Sequence, residues 1–211
     1  YNVRSCVEET AIMAGFPDIK DILTEEELKP MLSKWFDVGL PNTTSNTYSK
    51  TNKEKTNNYE KNIAIWPYAT GGLPGRSPSA RWWFRLIKKL SEKGYTVSHY
   101  GRSKELPLSN LENYKRYTSL SFFDQIKASL ASEIVLGPDT GPMWIMGAYS
   151  HPAINLMTNH MKDHDSNLLA LAPINENAIN LFSYYKSGIG CDGINTDLVV
   201  ENIINFNKEK E

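Results

Sequence analysis

Three stretches of this chain combine residue types that could bind a polar, anionic ligand. Gly137-Pro138-Asp139-Thr140-Gly141-Pro142 follows the apolar run Glu133–Leu136 and precedes a small-residue helix predicted over 141–150. Asp139 would stand at the strand's end, where a carboxylate can accept hydrogen bonds from sugar hydroxyls. The Thr140 and Gly141 amides would favour an anionic group. The alternative is that Asp139 only caps the helix. Pro67–Pro78 (PYATGGLPGRSP) brings three glycines, the hydroxyls of Thr70 and Ser77, and the charged fork of Arg76 ahead of another predicted helix. Glycines admit a ligand close to the backbone, and guanidinium suits phosphate oxygens. The stretch is neither a Walker loop nor a dinucleotide GxGxxG, so a flexible connection is the competing reading. Gly101-Arg102-Ser103-Lys104-Glu105 follows the run Tyr95–His99. A carboxylate there can hold ribose hydroxyls or be a solvated turn.

Positioning these loops requires strands alternating with helices. Apolar runs at Asn62–Trp66, Tyr95–His99, Glu133–Leu136 and Ala153–Met157 read as four strands. They are unbroken rather than alternating, as expected when both faces of a parallel sheet are covered. Helices are expected over 79–93, 121–132 (capped by Ser121), 141–150 and 196–207 (capped by Thr196). Parallel strands joined by helices cross over right-handedly. The expected fold class is therefore α/β, a Rossmann-like three-layer parallel sheet over residues 61–211. Ahead of it, helices are expected at 4–15 and 24–36 within a helical segment 1–40. Residues 41–60, almost devoid of apolar side chains, read as a linker or flexible loop.

Composition sets outer limits. The chain has 211 residues, 23 Lys plus Arg against 24 Asp plus Glu, and a net charge of −1, so no global field draws it to nucleic acid. No apolar run could span a bilayer. Two cysteines far apart, Cys6 and Cys191, suit reduced thiols and a cytoplasmic protein. His160 and His164, four apart with acids between, have the spacing of a metal pair on a helix, but without an obvious third ligand no metal is expected. The helix from Arg81 to Lys93 is basic on one face, with Trp82 placed there too. A solvated cationic face is expected, with peripheral contact at the inner face of a membrane as the alternative. Tryptophans 66, 82, 83 and 144 are expected to pack rather than stack on ligands.

The order and spacing of these elements resemble the ADP-heptose:lipopolysaccharide heptosyltransferase family of GT-B glycosyltransferases. The resemblance rests on Arg76-Ser77-Pro78 with its aromatic helix, the Gly101…Glu105 turn, the block EIVLGPDTGPMWIMGAYSHPAINLM, and Cys191-Asp192-Gly193-Ile194 before the last helix. It implies the nucleotide-sugar-binding C-terminal half of a GT-B fold. It also implies that Thr70 and Gly71 line a diphosphate with Arg76 beside it, that Glu105 holds the ribose, and that Leu120 lies against the base. Asp139, Thr140 and Gly141 would grip the sugar and phosphate of the donor. The implied reaction transfers a sugar from a nucleoside diphosphate to a glycan or lipid-linked glycan acceptor, with inversion and with no cofactor. The general base would belong to an acceptor half expected before Tyr1, so no catalytic residue is assigned here. The chain departs from the family pattern at Gly75 (usually Lys), Ser77 (Trp), Trp144 (His) and Thr158 (Gly), which reduces the phosphate donors. A non-catalytic nucleotide-sugar-binding module and another nucleotide-sugar enzyme such as an epimerase stay open as alternatives.

Overall fold

A computed structural model of the chain describes residues 61–69, 75–102, 111, 113–159, 175, 177–184 and 189–208. The expected helices at 4–15 and 24–36, the 41–60 linker, and the His160–His164 pair lie outside these residues.

Six strands form one parallel sheet: β1 (Asn62–Ile65), β2 (Thr96–His99), β3 (Tyr114–Arg116), β4 (Ile134–Pro138), β5 (Ala153–Asn159) and β6 (Ala178–Tyr184). Their spatial order is β3-β2-β1-β4-β5-β6. Among the described residues four helices accompany them: α1 (Ala80–Glu92), α2 (Phe122–Leu130), α3 (Gly141–Ala148) and α4 (Thr196–Lys208). Chain order reverses between β1 and β4, and at such a switch the loops leaving the two strands part to opposite faces and leave a crevice.

Both faces are covered. On one, Trp82, Trp83, Leu86, Ile87 and Leu90 of α1 and Val199, Val200 and Ile203 of α4 pack on Ile63, Ile65, Leu136, Ile154 and Leu156. On the other, Ile126 and Leu130 of α2 and Met143, Ile145 and Met146 of α3 pack on Ala64, Val135 and Ala153. Alternate residues of one strand therefore serve opposite cores, which is why residues 63–65 of β1 and 134–136 of β4 are unbroken apolar runs. The three-layer Rossmann-like arrangement matches the expectation.

Two strands were not expected. β3 is Tyr-Lys-Arg, with Lys115 and Arg116 exposed on an edge, so it has no apolar run to reveal it. β6 repeats the Ala-Ile-Asn-Leu of β5 and pairs with it in register, Ala153 with Ala178 through Leu156 with Leu181. One cap also differs: the Asp197 amide donates to Asn195 Oδ1 (2.9 Å), and the Thr196 hydroxyl instead accepts from Lys89 Nζ (2.9 Å). Ser121 caps α2 as expected, accepting from the Asp124 amide (3.2 Å).

Candidate functional site

The loop after β1 is held from several directions. Trp83 Nε1 donates to the Pro67 carbonyl (3.2 Å), fixing the strand's exit from within the core. Trp82 Nε1 donates to the Ile194 carbonyl (2.7 Å), fixing the chain just ahead of α4. Both rings are fully buried and meet edge to face at 5.0 Å. Trp82 therefore does not belong to the exposed basic face of α1, contrary to expectation. Between the two anchors, a 3-10 turn at Gly190–Gly193 docks on the β1–α1 loop. The Cys191 amide donates to the Gly75 carbonyl (2.8 Å), and the Ser79 amide donates to Asp192 Oδ1 (2.6 Å). The Cys191 thiol points at the Arg76 carbonyl (3.2 Å), and burial, with Asp192 adding to it, pushes its pKa up to about 12. It is a buried, inert thiol rather than a nucleophile.

This scaffold aims Arg76 across the switch point. Its Nη2 donates to Asp139 Oδ2 (2.6 Å) and to the Asp139 carbonyl (3.1 Å), joining the loops after β1 and β4. The second carboxylate oxygen, Oδ1, accepts from Trp144 Nε1 (2.9 Å) on α3. The side chains are 28% exposed for Arg76 and 12% for Asp139. Asp139 is not a helix cap, so that alternative falls. Thr140 occupies the cap position of α3 without a side-chain capping bond. Its Oγ1 is buried and has no hydrogen-bond partner among the described residues.

The Ser77 hydroxyl oxygen accepts from the Ala69 amide (2.8 Å), and its O–H keeps the capacity to donate. Trp144, expected only to pack, orients a carboxylate. Leu120 lies on the rim beyond β3, 40% exposed. Gln125 ties it to the neighbouring turn, its Nε2 donating to the Leu120 carbonyl (2.9 Å) and its Oε1 accepting from the Gly101 amide (2.6 Å). Each of the first three strands is followed at once by an aromatic residue. Trp66 stacks on Tyr100 at 5.8 Å, and Tyr100 on Tyr117 at 5.5 Å. Phe122, 47% exposed, meets the edge of this row at Trp66. Trp66 and Tyr100, each directly after an apolar run, were the legible part of this row; Tyr117 follows β3, which no apolar run discloses.

Two glycines explain the crevice floor and mouth. A Cβ on Gly137 would lie 2.8 Å from the Trp66 carbonyl and 3.0 Å from Met143 Sδ, so close approach of β4 and β1 demands glycine. A Cβ on Gly141 would meet nothing within 4 Å among the described residues. Of the expected donor-binding set, Arg76, Asp139, Thr140 and Gly141 come together here, Leu120 stands farther along the same rim, and Thr70, Gly71 and Glu105 lie outside the described residues. Among the described residues no cluster of His, Cys, Asp and Glu could hold a metal.

Solved structures with this fold include heptosyltransferases. The E. coli ADP-heptose LPS heptosyltransferase II is similar at a TM-score of 0.58 and 18% identity, over 82% of this chain and 54% of its own. E. coli heptosyltransferase WaaC with ADP gives 0.58 and 13%, over 79% and 51%. A family 9 glycosyl transferase from Veillonella parvula DSM 2008 gives 0.58 and 13%, over 79% and 52%. The chain spans about half the length of these proteins. At such identity the likeness is one of fold. No protein-family model matches the sequence, and no curated protein matches it.

Proposed function

We propose that this chain is the donor-binding part of a heptosyltransferase-like glycosyltransferase, taking a nucleoside-diphosphate sugar at the crevice between β1 and β4. The observation that carries the reading is the Arg76–Asp139 pair across the switch point, where open α/β sheets take their ligands. Nη2 of Arg76 is engaged with Asp139, which leaves Nε–H and the Nη1 hydrogens to face diphosphate oxygens. The α3 N-terminus adds partial positive charge beside them, worth about 0.3–1 kcal/mol for an anion near the surface. Gly141 supports the same reading. Neither positive φ nor packing among the described residues requires glycine there, whereas a ligand seated against its amide would.

In the reaction so inferred, a sugar passes from the diphosphate to an acceptor hydroxyl on a glycan or lipid-linked glycan. Arg76 and the α3 amides would stabilise the negative charge that grows on the departing diphosphate. The base that takes the acceptor proton is assigned to no residue of this chain. Peripheral membrane contact is part of the proposal only through a lipid-linked acceptor. Among the described residues no helix is long and apolar enough to cross a membrane. A second reading, a binding module without transfer activity, is favoured by one observation: Asp139 neutralises much of the Arg76 charge that catalysis would use.

Calorimetric titration with ADP, UDP, GDP and their sugars tests the proposal. Binding of one diphosphate that Arg76→Ala abolishes is the expected result, and sugar transfer to an added acceptor separates the first reading from the second. Absence of binding to every nucleotide would overturn both.

A further inference from the structure

The geometry points to Trp144 as the positioning residue of the anion site, a neutral donor that locks Asp139 and, through it, the direction of the Arg76 fork. The inference rests on the diphosphate-binding reading above and adds a role for a side chain that itself touches no proposed ligand atom. Asp139 has two oxygens and two anchors: Arg76 Nη2 at 2.6 Å from Oδ2, Trp144 Nε1 at 2.9 Å from Oδ1. With Arg76 alone, the carboxylate could rotate about its Cβ–Cγ bond, a soft terminal torsion, and leave the guanidinium held only by the longer bond from Nη2 to the Asp139 carbonyl (3.1 Å). The indole N–H removes that freedom by holding the second oxygen from α3, an element that also supplies the amides of the site. Indole N–H donates without ever carrying charge, so this anchor does not titrate. Binding of a diphosphate should then show no acid-enhanced component from residue 144.

Two variants decide the matter. Trp144→Phe keeps an aromatic ring on α3 but loses the donor. Trp144→His restores a donor, because Nε2 of imidazole and Nε1 of indole occupy equivalent ring positions two bonds from Cγ. Losing one hydrogen bond to a charged group should weaken ADP, UDP or GDP binding roughly tenfold in Trp144→Phe. Trp144→His should recover most of that affinity and add a pH dependence absent from the wild type. A carboxylate neighbour favours the imidazolium, so affinity should rise as pH falls through the imidazole range. Unaltered affinity in Trp144→Phe overturns the positioning role while leaving the diphosphate site standing. If the wild type binds no nucleotide, the functional proposal fails and side-chain NMR settles this inference by itself. Arg76 Nη hydrogens that exchange slowly in the wild type, where Nη2 is bonded to Asp139, and fast in Trp144→Phe uphold the role, and equal exchange overturns it.

Discussion

Gly190 opens the 3-10 turn that docks on Gly75, Gly141 opens α3, and replacing each by alanine should have opposite consequences. Gly190 has φ +54°, the left-handed region, and a Cβ there would overlap the carbonyl oxygen and Cα of Gly75. The backbone conformation alone costs a non-glycine residue about 1–2 kcal/mol. Overlap with another backbone, which no rotamer can relieve, adds about 1–3 kcal/mol. Relief comes only by parting the two loops, which stretches the bond from the Cys191 amide to the Gly75 carbonyl and displaces the residue next to it, Arg76. The sum, about 2–5 kcal/mol, is a large fraction of the 5–15 kcal/mol that typically holds a domain together. Gly190→Ala should therefore lower the thermal midpoint by roughly 5–15 °C for a domain of this size and loosen diphosphate binding as well. Gly141→Ala meets no atom within 4 Å among the described residues and has no positive φ. It should keep or raise stability by about 0.4–1 kcal/mol while its methyl group stands where the ligand would touch the α3 amides. Circular dichroism melts and calorimetric titration of both variants read the two quantities separately. A Gly190→Ala protein that melts like the wild type would refute the docking of the 190–193 turn on the Gly75 loop. Unchanged nucleotide affinity in Gly141→Ala would refute a ligand seated on the α3 N-terminus.

Other outcomes follow from the same contacts. Gly137→Ala forces a Cβ to within 2.8 Å of the Trp66 carbonyl, and should cost about 1–3 kcal/mol in urea unfolding; an unshifted midpoint would contradict the close approach of β4 and β1. Asp139→Ala strands Trp144 Nε1 and leaves Arg76 Nη2 only the main-chain carbonyl of residue 139, and should lose about 1–3 kcal/mol of stability together with nucleotide affinity; a loss of neither removes Asp139 from the site. Cys191, ordinarily titrating near 9.0, is raised to about 12 by burial, so above pH 9 the unfolded chain releases a proton that the folded one keeps. Stability should be level below pH 9 and fall above it, by at most about 1.4 kcal/mol per pH unit from this group, and a Cys191→Ala variant that falls just as steeply would disprove the assignment.

What the sequence disclosed follows from how each element is buried. β1 and β4 are covered on both faces, so their residues are apolar in unbroken runs and the strands are readable without knowledge of their neighbours. β3 is an edge whose Lys115 and Arg116 face solvent. It is a strand because Val97, Ser98 and His99 of β2 offer it a ladder, and that information is nowhere in its own three residues. β6 was missed although Ala-Ile-Asn-Leu recurs 25 positions after β5; in the sheet the two copies stack like on like, and Asn155 Nδ2 donates to Asn180 Oδ1 across the pair (2.7 Å). A short identical repeat inside a parallel sheet is thus a pairing signal even where neither copy is purely apolar.

The same logic separates the two halves of the site. Arg76 and Asp139 are 63 positions apart, yet their meeting is implied once β1 and β4 are recognised as central parallel strands, because their following loops must share one rim. Trp144 was hidden for a different reason. Whether an indole five positions beyond a carboxylate reaches it depends on where α3 begins, and element boundaries are the least determined feature of a sequence pattern. That hidden contact changes the chemistry. Asp139 was expected to grip the donor's sugar, but both its oxygens hold protein donors and its side chain is only 12% exposed. Each carboxylate oxygen can accept a second bond, so a sugar hydroxyl would have to enter through that narrow opening. Arg76, with a side chain 28% exposed, and the exposed Gly141 are more open, and both offer N–H donors. On the proposed reading, a rim whose carboxylate is held by protein donors and whose remaining groups donate hydrogen bonds would favour the diphosphate first and leave sugar selection to residues elsewhere.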